Sequence, residues 1–202
     1  MDINWSNCFM KTKTFLFLEK LKTVPKSYFS FRDLTKFYPG KKKDLRTVVH
    51  RLVKQKKLIR LLKGYYTFDL AQIDWEQFAC ELVQPSYISL EYALHRYGVI
   101  DQVPARITLI TTKKTREFRL PNQVLEYSHI NPELYFGYKI EKNILLATEE
   151  KALLDELYLI SLKKRHLSLE NLDLTEINKK LFHQWLKKFP FYTQELTKRL
   201  NL

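Results

Sequence analysis

The sequence predicts an α+β protein in two parts: a helical amino-terminal domain closed by a β-hairpin, then a mixed α/β domain with a small, mainly antiparallel sheet and C-terminal helices. Three observations predict it. Apolar residues recur at spacings of three and four as far as Lys57 and then switch to period two. Beyond residue 70, helical stripes alternate with short β-rich stretches bounded by proline and asparagine. Basic charge is concentrated in the first part. The expected domains are residues 1–70 and 71–202.

The chain of 202 residues is 45% hydrophobic and 14% aromatic, enough to bury real cores. Its four glycines and seven prolines are scattered, so no flexible linker, low-complexity segment or internal repeat is expected. The longest apolar runs, Phe15–Leu18 and Ile144–Ala147, fall far short of the roughly 20 residues of a membrane-spanning helix. Met1–Lys11 lacks the apolar stretch of a secretory signal, so no membrane partner and a cytoplasmic location are expected. Cys8 and Cys80 lie far apart without CxxC or Cys–His spacing, which predicts reduced thiols acting as small buried hydrophobes.

In the first part, a helix is expected over Thr12–Thr23, where Phe15, Phe17, Leu18 and Leu21 recur, and Pro25 ends it. Ser30 with Asp33 three residues on reads as an acidic capping box opening a second helix that carries Phe31, Leu34 and Phe37 and stops at Pro39-Gly40. The third helix, Lys42–Gln55, places Leu45, Val48, Val49, Leu52 and Val53 on one stripe. Its other side carries Lys43, Arg46, Thr47, His50, Arg51 and Lys54, with Lys42 at the start. Leu58–Leu62 and Tyr65–Phe68 alternate around Lys63-Gly64, which reads as a two-residue hairpin. Three helices followed by a hairpin define a winged helix-turn-helix.

Charge agrees with that reading. Residues 1–70 hold 17 basic and 5 acidic residues, net +12 of the chain's +13, while the other 18 basic and 17 acidic residues nearly cancel. Such asymmetry marks a polyanion-binding module joined to something with another task. The expected ligand is double-stranded DNA. Arg46, Thr47 and His50 are expected nearest the bases in the major groove, while Lys42, Lys43, Arg51, Lys54 and Lys63 neutralise phosphates. Arg60, Lys63 and Tyr65 of the hairpin are expected at phosphates or the adjacent minor groove. An RNA reader would more often display stacking aromatics on a sheet, whereas most aromatics here fall at core-type positions.

In the second part, Trp75–Val83 reads as a helix broken by Pro85. Ser86 or Ser89 caps another helix with Leu90, Ala93, Leu94 and Tyr97 facing inward, closed by Gly98. Strands are expected at Ile107–Thr111, Glu117–Leu120, Val124–His129, Tyr138–Ile140 and Ile144–Leu146. Thr148 caps a helix with Glu149 and Glu150 in its first turn. Two more helices are expected at Thr175–Leu186 and Thr193–Leu200.

These residues carry a resemblance. The basic amino-terminal domain, Pro85–Ser89 running into Ala93-Leu94 and Tyr97–Ile100, the strand Ile107–Thr111 and the block Ala147–Asp155 together resemble the AbiEi-type abortive-infection antitoxins, also described as transcriptional regulators of viral defence systems. The resemblance spans most of residues 12–160 and implies a bifunctional bacterial protein of a type IV toxin–antitoxin system. Its DNA-reading domain would repress its own operon at promoter repeats, as a homodimer or as cooperative monomers. Its second domain would counter a nucleotidyltransferase toxin without requiring a stable complex. Only the basic residues of the third helix and hairpin carry over; no antitoxic residue is assigned.

Enzyme chemistry is not expected. There is no glycine-rich phosphate loop, and His50, His95, His129, His166 and His183 show no pair at metal-ligand spacing, so no cofactor, metal or catalytic residue is assigned. Glu149, Glu150, Asp155 and Glu156 are expected to spread over a solvated helix face. The alternatives are a regulator whose second domain senses a ligand or a protein, and a metal-dependent nuclease, which would need carboxylates clustered near the basic face.

Overall fold

The computed structural model describes residues 5–169, 172–198 and 200, with side chains from residue 13 onward. The expectations for Met1–Lys11 and Cys8 lie outside the described side chains, and Arg199, within the last expected helix, lies outside the described residues. The protein has a mixed α+β fold and divides into two compact units, Met1–Asp74 and Trp75–Leu202.

The first unit runs α1 (Trp5–Lys22), β1 (Phe29–Ser30), α2 (Phe31–Phe37), α3 (Lys42–Lys54), β2 (Ile59–Leu62) and β3 (Tyr65–Thr67). Helix α1 begins earlier than expected because no proline or glycine interrupts Trp5–Lys11. The capping box forms: the Asp33 amide donates to Ser30 Oγ at 3.1 Å, and the Ser30 amide donates to Asp33 Oδ2 at 3.1 Å. The strands form an antiparallel sheet in the order β1-β3-β2. Strand β1 is not apparent in the sequence because two residues cannot display a period. Leu45, Val48, Val49 and Leu52 of α3 are buried with Phe17 and Leu21 of α1, Phe29, Leu34 and Leu58 in one core.

The second unit runs α4 (Trp75–Leu82), β4 (Ser86–Ile88), α5 (Leu90–Arg96), β5 (Ile107–Thr111), β6 (Arg116–Arg119), β7 (Val124–His129), β8 (Tyr138–Glu141), β9 (Ile144–Ala147), α6 (Glu149–Ser161), α7 (Lys179–Leu186) and α8 (Phe191–Thr197). Its six strands lie in the order β6-β7-β5-β4-β9-β8. The expected mainly antiparallel sheet is instead mixed, with β5–β7 and β4–β9 parallel and the other three pairings antiparallel. One of the two parallel pairings comes from β4, which was expected to lead into a helix. It inserts between β5 and β9 and is buried on both faces, so it shows no alternation. Ser89 precedes α5 but does not cap it; its hydroxyl is committed elsewhere. Of the two closing helices, α7 starts later than expected, after the Asn178 cap, whereas α8 starts two residues earlier than expected, after Pro190, and ends at Thr197.

Helices flank the sheet on both faces. Tyr127 lies in register with Leu109 and hence with Ile88, and its hydroxyl donates to Ala79 O of α4 at 2.6 Å. Neighbouring Tyr87 points to the opposite face, as strand alternation requires, and its hydroxyl donates to Asp155 of α6 at 2.9 Å.

Burial on α6 overturns the expectation of a solvated acidic face: Glu150, Lys151, Asp155 and Glu156 are all buried. Lys151 Nζ donates to Asp155 Oδ1, while Tyr87 and Ser89 donate to Oδ2 at 2.9 and 2.8 Å. The ammonium lies over the rings of Phe136, Phe189 and Tyr87, 5.1–5.5 Å from their centroids. Desolvation drives the lysine down and the aspartic acid up in pKa, opposed by their mutual attraction. Gly137 makes room for the pair, since a Cβ there would lie 3.0 Å from Lys151 Cγ and from Trp185.

Glu156 has a different environment. Its Oε1 accepts from Arg165 Nε at 3.1 Å, while its buried Oε2 has no hydrogen-bond partner among the described residues. Arg165 also pairs with Glu126, and with Glu91 at 2.8 Å. Burial pushes the Glu156 carboxyl up to about 7 against the pull of Arg165, with Glu91 reinforcing the rise. An acid raised in the folded state stabilises the fold below its unfolded pKa and loses that contribution as pH rises through the folded value. Stability should therefore fall as pH climbs from the ordinary 4.5 to about 7, and the fall should be smaller in Glu156→Gln. Urea unfolding midpoints across this range check it; equal pH dependence in the two proteins would refute the assignment.

Candidate nucleic-acid interface

Helix α3 starts after Lys41, whose side chain makes no capping hydrogen bond. Its inward stripe is buried, so the helix cannot rotate without exposing four aliphatic side chains. That constraint turns Lys42, Lys43, Arg46, Thr47, His50, Arg51 and Lys54 to solvent, and all seven are exposed. The helix has 13 residues, so this column extends over about 20 Å at the usual helical rise.

The hairpin adds three expected residues. Lys63 is exposed in the two-residue turn, and Gly64 adopts φ +90°, which a residue with a Cβ would adopt only with strain. Arg60 is exposed on β2, with Nε 3.4 Å from Leu62 O, beside a register irregularity between Arg60 and Leu62. Tyr65 differs from the others: it is half-buried on β3, opposite Ser30.

Phe31 joins the helix to the turn. Its amide donates to Gly64 O at 2.7 Å, and the Arg46 guanidinium sits 6.0 Å from its ring centroid. The first residue of α2 thus holds the turn carrying Lys63 and borders the guanidinium expected at the bases. Beside it, a groove is lined by Phe31, Arg32, Thr35, Lys36 and Lys42. Arg32 and Lys36 escape the sequence reading, although they form the polar face of the short helix between Phe31 and Phe37. Both are exposed, and Lys36 lies 3.4 Å from Asp33. The structure thus groups Lys42, Arg46, Arg32 and Lys36 around Phe31, whereas His50, Arg51 and Lys54 extend along α3 away from the turn.

Asp33 is engaged by Ser30, Lys26 and Lys36. Burial raises its carboxyl, but the Ser30 hydrogen bonds and Lys26 outweigh that and hold it below the usual range. Among the described residues, no three His, Cys, Asp or Glu side chains are grouped to hold a metal ion. His129 and His95 place Nδ1 3.0 and 3.2 Å from the carbonyls of Lys113 and Ile100, while His50, His166 and His183 are exposed. Cys80 is half-buried, with Sγ 3.8 Å from Leu145 O, so it is less buried than expected. Among the described residues no helix is long and apolar enough to cross a membrane.

The molecule is thus an α+β protein with a basic helical unit and a mixed-sheet unit. No family model and no curated protein matches the chain. A similar structure is the crystal structure of the RV2827C protein from Mycobacterium tuberculosis, with a TM-score of 0.64 at 14% identity, covering 94% of this chain and 76% of that one. At that identity the likeness is one of fold.

Proposed function

We propose that the first unit is a winged helix-turn-helix that binds double-stranded DNA and that the protein is a transcriptional regulator. The observation that carries the reading is the division of α3: a buried aliphatic stripe anchors it, and every outward position from Lys42 to Lys54 that was expected to face DNA is exposed. A helix about 20 Å long fits a major groove roughly 12 Å wide. Arg46, Thr47 and His50 contact base edges; Lys42, Lys43, Arg51, Lys54 and Lys63 contact phosphates; Arg60 and Tyr65 lie on the hairpin that acts as the wing. On the three-stranded sheet Phe29 is buried and Tyr65 and Tyr66 are half-buried, so the sheet offers no open platform for stacking unpaired bases, which favours a duplex over RNA; Phe15 of α1 is exposed but stands off the sheet.

Binding, not catalysis, is the activity proposed. Ser89, Lys151 and Asp155 bring together a hydroxyl, an amine and a carboxylate, but all three are 0% exposed, so no substrate reaches them. The resemblance to AbiEi-type antitoxins supports a further role: repression of its own operon at promoter repeats and opposition to a nucleotidyltransferase toxin through the second unit. If so, the full chain should restore growth to cells expressing a nucleotidyltransferase encoded beside it. Failure of rescue at equal protein levels would remove the antitoxin role and leave the regulator.

Base and phosphate contacts fail differently. Arg46→Ala should cost about 1–3 kcal/mol on the preferred duplex and relax specificity, whereas Lys63→Ala should weaken all duplexes alike and reduce the salt slope by about one unit. Titrations on preferred and random duplexes distinguish them. An equal loss on both duplexes for Arg46→Ala would contradict the placement of α3.

A further inference from the structure

Strand β8 ends the six-stranded sheet, and among the described residues no strand lies beyond it. Its register with β9 decides which backbone groups face outward. Gly137 O accepts from the Thr148 amide at 2.9 Å, and Gly137 and Thr148 continue the register that pairs Tyr138 with Ala147 and Glu141 with Ile144. Bonded and non-bonded pairs alternate along an antiparallel ladder, so Lys139 and Glu141 direct their amides and carbonyls to β9, whereas those of Tyr138 and Ile140 point away from the sheet. The two-residue turn Lys142-Asn143, with φ of 48° and 68°, agrees, because the pair that closes such a turn, Glu141 and Ile144, is a bonded one.

Side chains alternate between the two faces of the strand. Tyr138 and Ile140 share one face, where Tyr138 stacks on Tyr87 with ring centroids 4.9 Å apart and Ile140 is 77% exposed. Lys139 and Glu141 share the other, where Arg96 holds Glu141 at 2.5 Å and Lys139 Nζ lies 3.7 Å from the same carboxylate.

An exposed isoleucine on an unpaired edge favours addition of another strand, while a lysine there normally discourages it. Two copies of β8 can meet antiparallel with their outward groups bonded when Tyr138 and Ile140 stand opposite even-numbered residues. A two-fold axis through Lys139 sets two lysines face to face, and one through Glu141 sets two glutamates. An axis through Tyr138 leaves Lys139 and Glu141 opposite uncharged residues. An axis through Ile140 instead brings the two isoleucines together and sets Lys139 opposite the partner's Glu141 twice, in the closely spaced non-bonded positions. Charge thus selects one register. The opposite edge differs: β6 follows Lys113 and Lys114, carries Arg116 and Arg119 against Glu117, and has Phe118 half-buried against Tyr127 with centroids 5.7 Å apart. A second copy there would bring like charge together.

We propose that β8 is a self-association edge, which pairs antiparallel with β8 of a second copy about a two-fold axis at Ile140 and joins two six-stranded sheets into one. The contact is isologous, so each backbone bond and each ion pair occurs twice. It involves the second unit alone and is independent of the DNA-binding reading of the first.

Sedimentation equilibrium of the full chain from about 1 µM to about 1 mM tests it. The mean mass should rise from that of one chain to that of two. Ile140→Lys, which sets two ammonium groups at the axis, and Lys139→Glu, which sets like charges opposite at both flanking positions, should each weaken association about ten-fold or more. Lys139→Glu/Glu141→Lys restores opposite charge in the same register and should recover association, with Arg96 retaining Glu76 at 2.9 Å. Urea midpoints equal to the wild type in all three variants establish that they fold. A single-chain mass at every concentration would overturn the proposal, as would a two-chain mass that Ile140→Lys and Lys139→Glu leave unchanged, or a folded double variant that associates no better than Lys139→Glu.

Discussion

Burial of one aliphatic stripe on α3 is the constraint on which the basic face depends. Leu45, Val48, Val49 and Leu52 pack against Phe17, Leu21, Phe29 and Leu34, and each such side chain contributes about 1.5–3 kcal/mol when fully withdrawn from water. Rotating the helix to hide its cations would forfeit that contribution. The outward column from Lys42 to Lys54 is therefore a consequence of packing, and its chemistry follows from which residues occupy it. The capping box of Ser30 and Asp33 and the bond from the Phe31 amide to Gly64 O extend the same rigidity to the turn bearing Lys63.

The second unit is organised around charge withdrawn from water. Asp155 accepts from Lys151 of its own helix and from Tyr87 and Ser89, so two donors join α6 to the central strand region at one buried carboxylate. Removing one partner of such a pair typically costs about 3–5 kcal/mol, because the other charge remains buried alone. Tyr87 and Ser89 belong to the stretch Pro85–Ser89, and Lys151 and Asp155 to the block Ala147–Asp155. These are two of the stretches that carry the resemblance, and they meet at this carboxylate.

Local signals were legible in the sequence and long-range ones were not. The stripe of α3, the Ser30 cap, the turn at Lys63-Gly64, strand β7 and the Thr148 cap of α6 all depend on residues within a few positions of one another. Strands β1 and β4 are too short to show a period, and the parallel pairings of β4 and β5 are set by partners distant in the chain. Lys151 and Asp155 stand at i and i+4, the spacing of a surface ion pair, and the groups that mark them as interior, Tyr87 and Ser89 at the carboxylate and Phe136 and Phe189 at the ammonium, come from elsewhere in the chain. On the candidate interface the column of cations was readable. The role of Phe31 in holding Arg46 beside the turn, and the addition of Arg32 and Lys36, required the fold.

The most direct test of the central claim is the affinity of the full chain for a duplex taken from immediately upstream of its own coding sequence, measured across a salt series. Five cations assigned to phosphates predict that the logarithm of the binding constant falls with the logarithm of salt concentration at a slope of about −4 to −5. Tighter binding to this duplex than to a random one of equal length is also predicted. Absence of binding at moderate salt, or a flat salt dependence, would contradict the assignment of α3 as a DNA-reading helix.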